Sequence, residues 1–423
     1  MDTDIIVVGA GAAGMIAAGA AAESGAKVLL IERMERPGRK LLITGKGRCN
    51  ITNTAGMPDF LSQIRPNNRF VRTAFSSFFS DDIISLLGRY GLETVTERGN
   101  RVFPASNKSS DVVLALLKYL EETKVEYITR SRVSELLIED GRVSGVLIEK
   151  DGKSFKMNSK AVIISTGGKS YPATGSSGDG YKLAQQAGHS IVSLRQALVP
   201  LETGGEAAGK LQGLSLKNVT ATLWINGKKS ASEFGEMLFT HFGLSGPVIL
   251  TLSRTAVDAL KENYPVEISV DLKPALDEQK LDARLIRDLD SNGKKFLGSM
   301  FKQWLPSSLI PVFLDLLKLD PSKECHQLNS KERRKIMLLM KNFRFKVTGS
   351  RSFKEAIVTA GGVDTSEVDR KTMESRLKKN LYFAGEVLDV DANTGGYNLQ
   401  VAWSTGWLAG TSAAKSVRVP GGE

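Results

Sequence analysis

Cysteine is scarce in this chain. Cys49 and Cys325 are the only two in 423 residues, lie far apart and form no CxxC pair. That spacing excludes a disulfide framework and a cysteine-based zinc site. Histidine is equally sparse, with three residues, and no metal ligand set is expected. Long apolar runs are also missing: no stretch approaches the roughly 20 residues that a membrane-spanning helix needs. The N-terminal Met1-Asp2-Thr3-Asp4 carries no positive charge ahead of the first apolar run, which argues against a secretory leader. A reducing, cytoplasmic setting is the expectation that follows. At this length two or three domains are expected, and a hydrophobic content of 41% can fill their cores.

Positive charge, by contrast, is in excess. The formal net charge is +11 and its distribution is uneven. Residues 321–354 hold ten Lys and Arg against Glu324 and Glu332, a local +8, with Phe343 and Phe345 among them. A second cluster runs from Arg33 to Arg48, where Arg33, Arg36, Arg39, Lys40, Lys46 and Arg48 face Glu35 alone. Clustered cations attract polyanions such as RNA, and aromatic rings between them can stack on unpaired bases. The plainer alternative is a solvated, solubilising helical face.

Asp4–Gly9 reads as a strand, Ala12–Ser24 as an Ala-rich helix and Ala26–Glu32 as a second strand. This βαβ unit implies a parallel sheet. Arg39–Asn53 reads as a loop. Asp81–Tyr90 and Ser110–Thr123 have helical spacing, with Ser109 or Ser110 as cap. Val125–Ile148 alternates as a hairpin around Glu139-Asp140-Gly141-Arg142. Ala161–Ser165 and Leu381–Ala384 are apolar strands, and Asn398–Ala414 is a final helix. Between them, short β-like runs (Val219–Ile225, Val266–Leu272, Phe343–Val347) surround a helical stretch, Ala275–Asn342, broken at Pro306, Pro311 and Pro321. The expected fold is α/β: a discontinuous Rossmann-type domain (1–193 and 348–423) interrupted by a β-rich insert (194–274 and 343–347) and a helical subdomain (275–342).

Gly9-Ala10-Gly11-Ala12-Ala13-Gly14 is a GxGxxG that follows a strand, opens a helix and precedes a second strand ending in Glu32, 18 residues after Gly14. In that context Gly9 permits the tight turn, Gly11 lets amides approach a pyrophosphate, Gly14 allows close packing and Glu32 accepts from a ribose hydroxyl. No second GxGxxG stands in such a context. Instead, Leu381–Ala384 runs into Gly385-Glu386. This is similar to the second flavin motif of glutathione-reductase-type flavoproteins, whose acidic residue holds the ribityl chain; Glu386 stands in place of the commoner Asp. Thr394-Gly395-Gly396-Tyr397-Asn398-Leu399 then opens the last helix and can present amides to a flavin.

In these motifs the sequence resembles the BaiN-like, or aminoacetone-oxidase-type, family of FAD-binding flavoproteins. The resemblance is carried by Gly9–Gly14, by the block Gly38–Asn53 (GRKLLITGKGRCNITN), by Thr166-Gly167-Gly168-Lys169-Ser170-Tyr171-Pro172 with Gly175 and Gly178–Tyr181, by Phe239–Pro247 (FTHFGLSGP) and by Ala384–Gln400. It implies FAD, a β-barrel-like insert with a helical subdomain, and redox chemistry. Members are linked to reduction of steroid enones, to amine oxidation and to dihydrouridine formation in ribosomal RNA. With it, Arg33, Arg39, Lys40, Thr44, Gly45, Arg48, Asn50, Thr166, Gly167 and Gly168 become candidates for cofactor contact. Val133 becomes a candidate for backbone contact with adenine. A cation near the flavin pyrimidine stabilises its reduced anion.

Reduction of a C=C bond by a flavin also needs a proton donor. Cys49, His241 and Tyr397 are the candidates, each with a structural alternative; Cys49 would otherwise be a small buried hydrophobe. The function expected is an FAD-dependent oxidoreductase reduced by NAD(P)H, with uridine in ribosomal RNA as substrate and residues 321–354 as the RNA contact. A small-molecule oxidoreductase acting on enones or amines is the alternative.

Overall fold

The computed structural model describes residues 3–418. The terminal residues 1, 2 and 419–423, assigned to the Rossmann-type domain above, lie outside it. The chain divides into two compact units, 1–195 with 356–423, and 196–355.

The first unit is organised by a parallel five-stranded sheet in the order Leu381–Phe383, Ala161–Ile164, Ile5–Val8, Val28–Ile31, Glu126–Ile128. The three strands at Ile5, Val28 and Ala161 are continuous apolar runs buried at every residue, as a sheet covered on both faces requires. Chain order reverses between Ile5–Val8 and Ala161–Ile164. Ligands of open α/β sheets bind outside the carboxyl ends of the strands at such a switch point. The first helix, Ala12–Glu23, buries Ala13 through Ala21 without interruption. It lies against the last helix, Tyr397–Arg418, so closely that a Cβ on Gly406 would sit 2.4 Å from Ala13 O and one on Gly410 2.2 Å from Ala17 O.

The second unit holds a closed barrel of six strands: Leu201–Thr203, Gly243–Ser245, Lys228–Thr240, Ser215–Ile225, Val266–Asp271 and Phe343–Ser350. Helices Glu278–Asp290, Leu297–Trp304, Leu309–Leu317 and Ser330–Lys341 share one continuous core with it. Ile225–Lys228 and Glu139–Arg142 are both tight turns, with φ of +50° at Asn226, +72° at Gly227, +47° at Asp140 and +75° at Gly141. Positive φ at both central residues matches the twist of the flanking strands.

Several local expectations are corrected. Arg39–Asn53 is not all loop: Arg39–Ile43 is a helix of five residues, too short to show a periodic pattern. Val125–Ile148 is not one hairpin, because Glu126–Ile128 joins the main sheet while Arg132–Glu139 pairs with Arg142–Lys150. Neither Ser109 nor Ser110 caps its helix; the N-cap is Lys108, and Ser109 Oγ donates to Leu42 O instead. Pro311 breaks nothing, since it lies in the first turn of Leu309–Leu317, where no intrahelical N–H is needed.

Candidate functional site

The site forms in the first unit where Ile5–Val8 runs out. Gly9 has φ +100°, and a Cβ there would sit 2.8 Å from Ser165 O. A Cβ on Gly14 would meet Gly9 O at 1.8 Å. Gly11 is different: nothing lies within 4 Å of the position its Cβ would take. It is the N-cap of the first helix, an end with no side-chain cap and no acid in its first turn. The first intrahelical bond there runs from Met15 N to Gly11 O at 3.0 Å, so the amides of Ala12, Ala13 and Gly14 precede it. Open space before uncapped amides at a helix N-terminus fits a diphosphate.

Glu32 closes one side of this cradle. Its carboxylate accepts from Ala10 N and Met34 N, both at 2.8 Å. Burial raises its pKa, against the pull of these hydrogen bonds. Arg33 turns to Asp179 at 2.8 Å and to Ser177, and Arg132 reaches the same carboxylate at 3.0 Å. Ser131 N donates to Glu32 O at 3.0 Å, which docks the strand bearing the buried Val133 beside Glu32.

The tail segment meets the glycine turn. Gly385 has φ +77°, its amide donates to Thr405 Oγ1 at 2.9 Å, and a Cβ on it would lie 2.8 Å from the Ala13 Cβ. Glu386 is gripped from three sides: Lys40 Nζ donates to it at 2.7 Å, Ser170 Oγ at 2.8 Å and Thr359 N at 2.9 Å. Ser170 and Thr359 as partners carry no signal in the sequence; only the fold brings them to Glu386. Gly168 lies so close to this group that a Cβ would meet Thr359 Oγ1 at 2.5 Å, and its neighbour Gly167 turns the chain at φ +73° after Thr166.

Gly395 and Gly396 both have positive φ, +131° and +96°, and a Cβ on Gly396 would strike Thr52 O at 2.4 Å. Asn50 stands beside them; with its amide oriented to satisfy both ends, Oδ1 accepts from Gly396 N at 3.0 Å. Asn398 clamps Ala392 through both backbone atoms, at 2.9 and 2.8 Å, and Leu399 packs against the core. Tyr397 lays its ring edge-on to Phe60 at 4.7 Å, and partial burial raises its phenol pKa.

Two further arginines expected in the site have other partners. Arg48 is committed to Glu97 and to Asn107 at 2.7 Å, over the Phe103 ring at 4.2 Å. Arg39 pairs with Glu35 at 2.7 Å. Cys49 is corrected from acid to core residue: it has no exposed surface, and burial pushes its thiol up to about 11. Thr44 and Gly45 form the turn that buries it, with Cys49 N donating to Thr44 O at 3.0 Å. His241 lies exposed in the second unit, edge-on to Phe242 at 4.9 Å.

The expected aromatic platforms are also corrected. Phe343 and Phe345 are 2% and 3% exposed and point into the barrel, while Arg344 and Lys346 alternate outward on the same strand. Five cations of residues 321–354 are held by carboxylates: Lys323 by Glu332, Arg333 by Asp282, Lys341 by Asp271, Arg344 by Glu267 and Arg351 by Glu202.

Family, fold and site together define the class: a flavin-dependent oxidoreductase with a Rossmann-type FAD-binding domain. A family model described as HI0933-like protein Rossmann domain matches residues 3–412, and the chain belongs to that family. A 3-dehydro-bile acid delta(4,6)-reductase of Clostridium scindens is 33% identical over 415 residues, covering 97% of this chain and 98% of its own. A ribosomal RNA dihydrouridine synthase of Escherichia coli is 32% identical over 417 residues, covering 98% and 99%. A 3-ketosteroid delta1-dehydrogenase from Sterolibacterium denitrificans, solved with 1,4-androstadiene-3,17-dione, shares the fold at a TM-score of 0.52 and 14% identity, covering 98% of this chain and 100% of that one. Among the described residues no helix is long and apolar enough to cross a membrane.

Proposed function

We propose that this flavoenzyme reduces a carbon–carbon double bond conjugated to a carbonyl, and that its substrate is uridine in ribosomal RNA, converted to dihydrouridine. The observation that carries the RNA reading is the solvent face of helix Ser330–Lys341. Lys331, Arg334 and Lys335 are exposed there without an ion pair among the described residues, Lys335 one turn from Glu332, and Lys346 is exposed likewise on the barrel strand. Two full-length relatives, 32% and 30% identical, are named ribosomal RNA dihydrouridine synthases.

The amides at Ala12–Gly14 hold the diphosphate of FAD, Glu32 its ribose, and the turn at Gly395–Asn398 approaches its ring. Bound FAD supplies hydride chemistry. Tyr397, partly exposed beside Gly396, gives the proton that completes reduction of the double bond. Lys40 stands in the same cradle, its charge balanced by Glu386. NAD(P)H is the reductant. The chain has one dinucleotide fingerprint, so the nicotinamide visits and leaves before the base arrives, which gives ping-pong kinetics; sequential kinetics would overturn that order. The target base must leave its stack to reach the ring. The reaction belongs in the cytoplasm, with the ribosome.

The test is to delete the gene in its host and measure modified nucleosides of ribosomal RNA by mass spectrometry. Loss of a dihydrouridine, restored by the wild-type gene and not by Gly14→Val, is expected. An unchanged nucleoside profile overturns the RNA reading. It would leave the second reading, reduction of a small enone, which the 33% identity to a bile acid reductase favours.

A further inference from the structure

Within the first unit, the strand Ile64–Pro66 pairs antiparallel with Val390–Ala392, immediately before the Gly395–Gly396 turn. The two segments are tied again by Asn393, whose backbone N donates to Gln63 O at 3.0 Å and whose Nδ2 donates to Gln63 Oε1 at 3.0 Å. Phe60, just upstream, carries the ring of Tyr397. This docked segment therefore forms part of the rim of the site.

Its charge is one-sided. From Leu61 to Ser80 there is no Asp or Glu, and Arg65, Arg69 and Arg72 stand within eight residues of one another. All three are exposed and none makes an ion pair among the described residues; across the strand pair Arg65 stands opposite Asp391, which is buried. Elsewhere in the same unit Arg33, Arg39, Lys40, Arg48 and Arg132 are each held by an acid. Arg36, Arg98, Arg130, Arg142 and Arg370 of the same unit are also exposed without an ion pair among the described residues, but at the rim three such arginines fall within eight residues, beside the segment that bears Tyr397. Eight residues of chain span at most about 28 Å, the reach of a few successive phosphates on a single strand. The guanidinium fork matches phosphate oxygens in a way that a lysine point charge does not.

We infer that Arg65, Arg69 and Arg72 bind the sugar–phosphate backbone of single-stranded RNA next to the base being reduced. This rests on the RNA reading above. It assigns the grip nearest the reaction to the flavin-binding unit itself, independently of residues 321–354.

The experiment uses the full-length, FAD-loaded protein and a short fluorescent oligouridylate, with affinity measured across a potassium chloride series. On a single strand, every phosphate that a protein ceases to neutralise lowers the slope of log affinity against log salt by about 0.7. The triple variant Arg65→Gln/Arg69→Gln/Arg72→Gln should therefore lose about 2 from that slope, with its flavin absorbance unchanged. The variant Arg65→Lys/Arg69→Lys/Arg72→Lys should keep most of the slope and bind more weakly. If the glutamine variant sheds its flavin, the single change Arg69→Gln is read in its place, with an expected loss of about 0.7. An unaltered slope in the glutamine variant, when the wild type does form dihydrouridine, would overturn this assignment and leave the RNA reading standing. A wild type that neither binds nor reduces RNA would end both. Equal, arginine-dependent binding to phosphatidylserine vesicles would reduce the rim to a general polyanion surface and overturn it as well.

Discussion

At Gly14 a single methyl group has nowhere to go, since its carbon would sit 1.8 Å from Gly9 O. Gly14→Val should therefore yield protein without bound flavin, read from the absorbance of the purified chain. Tyr397 carries the opposite kind of expectation. Tyr397→Phe keeps the ring on Phe60 and removes the proton, so flavin content should hold while turnover falls about 100-fold, the lower range for loss of a general acid; steady-state kinetics at saturating reductant check it. His189 shows how burial can be mistaken for chemistry. Its Nε2 lies 2.7 Å from Ser375 Oγ and its Nδ1 3.1 Å from Glu367, the order of a hydrolase triad. Yet Ser375 Oγ also accepts from Leu377 N at 3.0 Å and Lys378 N at 2.9 Å, and is 4% exposed as a residue, so it is no nucleophile. Burial lowers the His189 pKa below its ordinary 6.5, more than Glu367 raises it. The unfolded chain then binds a proton the folded chain refuses. The stability this group contributes is present above 6.5 and is lost as pH falls through the folded value. Denaturant midpoints at about pH 7.5 and about pH 5.5 should separate for the wild type and draw closer for His189→Gln.

Among the helices, glycines do two unlike jobs. Gly406 and Gly410 recur at four-residue spacing on the last helix, and both meet backbone oxygens of the first helix. Gly410→Ala should cost about 1–3 kcal/mol, the usual penalty of overpacking. Gly88, near the end of helix Ser80–Arg89, faces open space. There Gly88→Ala should add about 0.4–1 kcal/mol by restricting the unfolded chain. Thermal unfolding of the two variants should shift in opposite directions. The spacing of Gly406 and Gly410 is visible in the sequence, but a Gly pair inside a helix reads as weakness until its partner is known. The opening strand, glycine turn and helix were legible because an apolar run, a glycine turn and an Ala-rich stretch followed one another within thirty residues. The barrel was legible only as short strands with turns: its closure pairs Leu201–Thr203 with Phe343–Ser350, some 140 residues on, and nothing local encodes that register. Phe343 and Phe345 misled for a related reason. Alternation says that two faces differ, and a basic neighbourhood invited the aromatic face to be read as the outer one. The ties that hold Glu386 were illegible for the same cause, since Lys40, Ser170 and Thr359 come from three distant segments.

Across the whole molecule, the sheet that carries the site takes its adjacent strands from residues 5–8, 161–164 and 381–383. A chain ending before Leu381 should therefore emerge from purification without flavin even if it is soluble, which the ratio of flavin to protein absorbance would show. That order has a consequence for biosynthesis. At about 5–20 residues per second, the ribosome extrudes the glycine turn at residues 9–14 some 20–75 s before the Gly395–Gly396 turn that completes the cradle. Coenzyme capture then waits until residues 395–396 have emerged, and a chain terminated before them should purify without flavin colour.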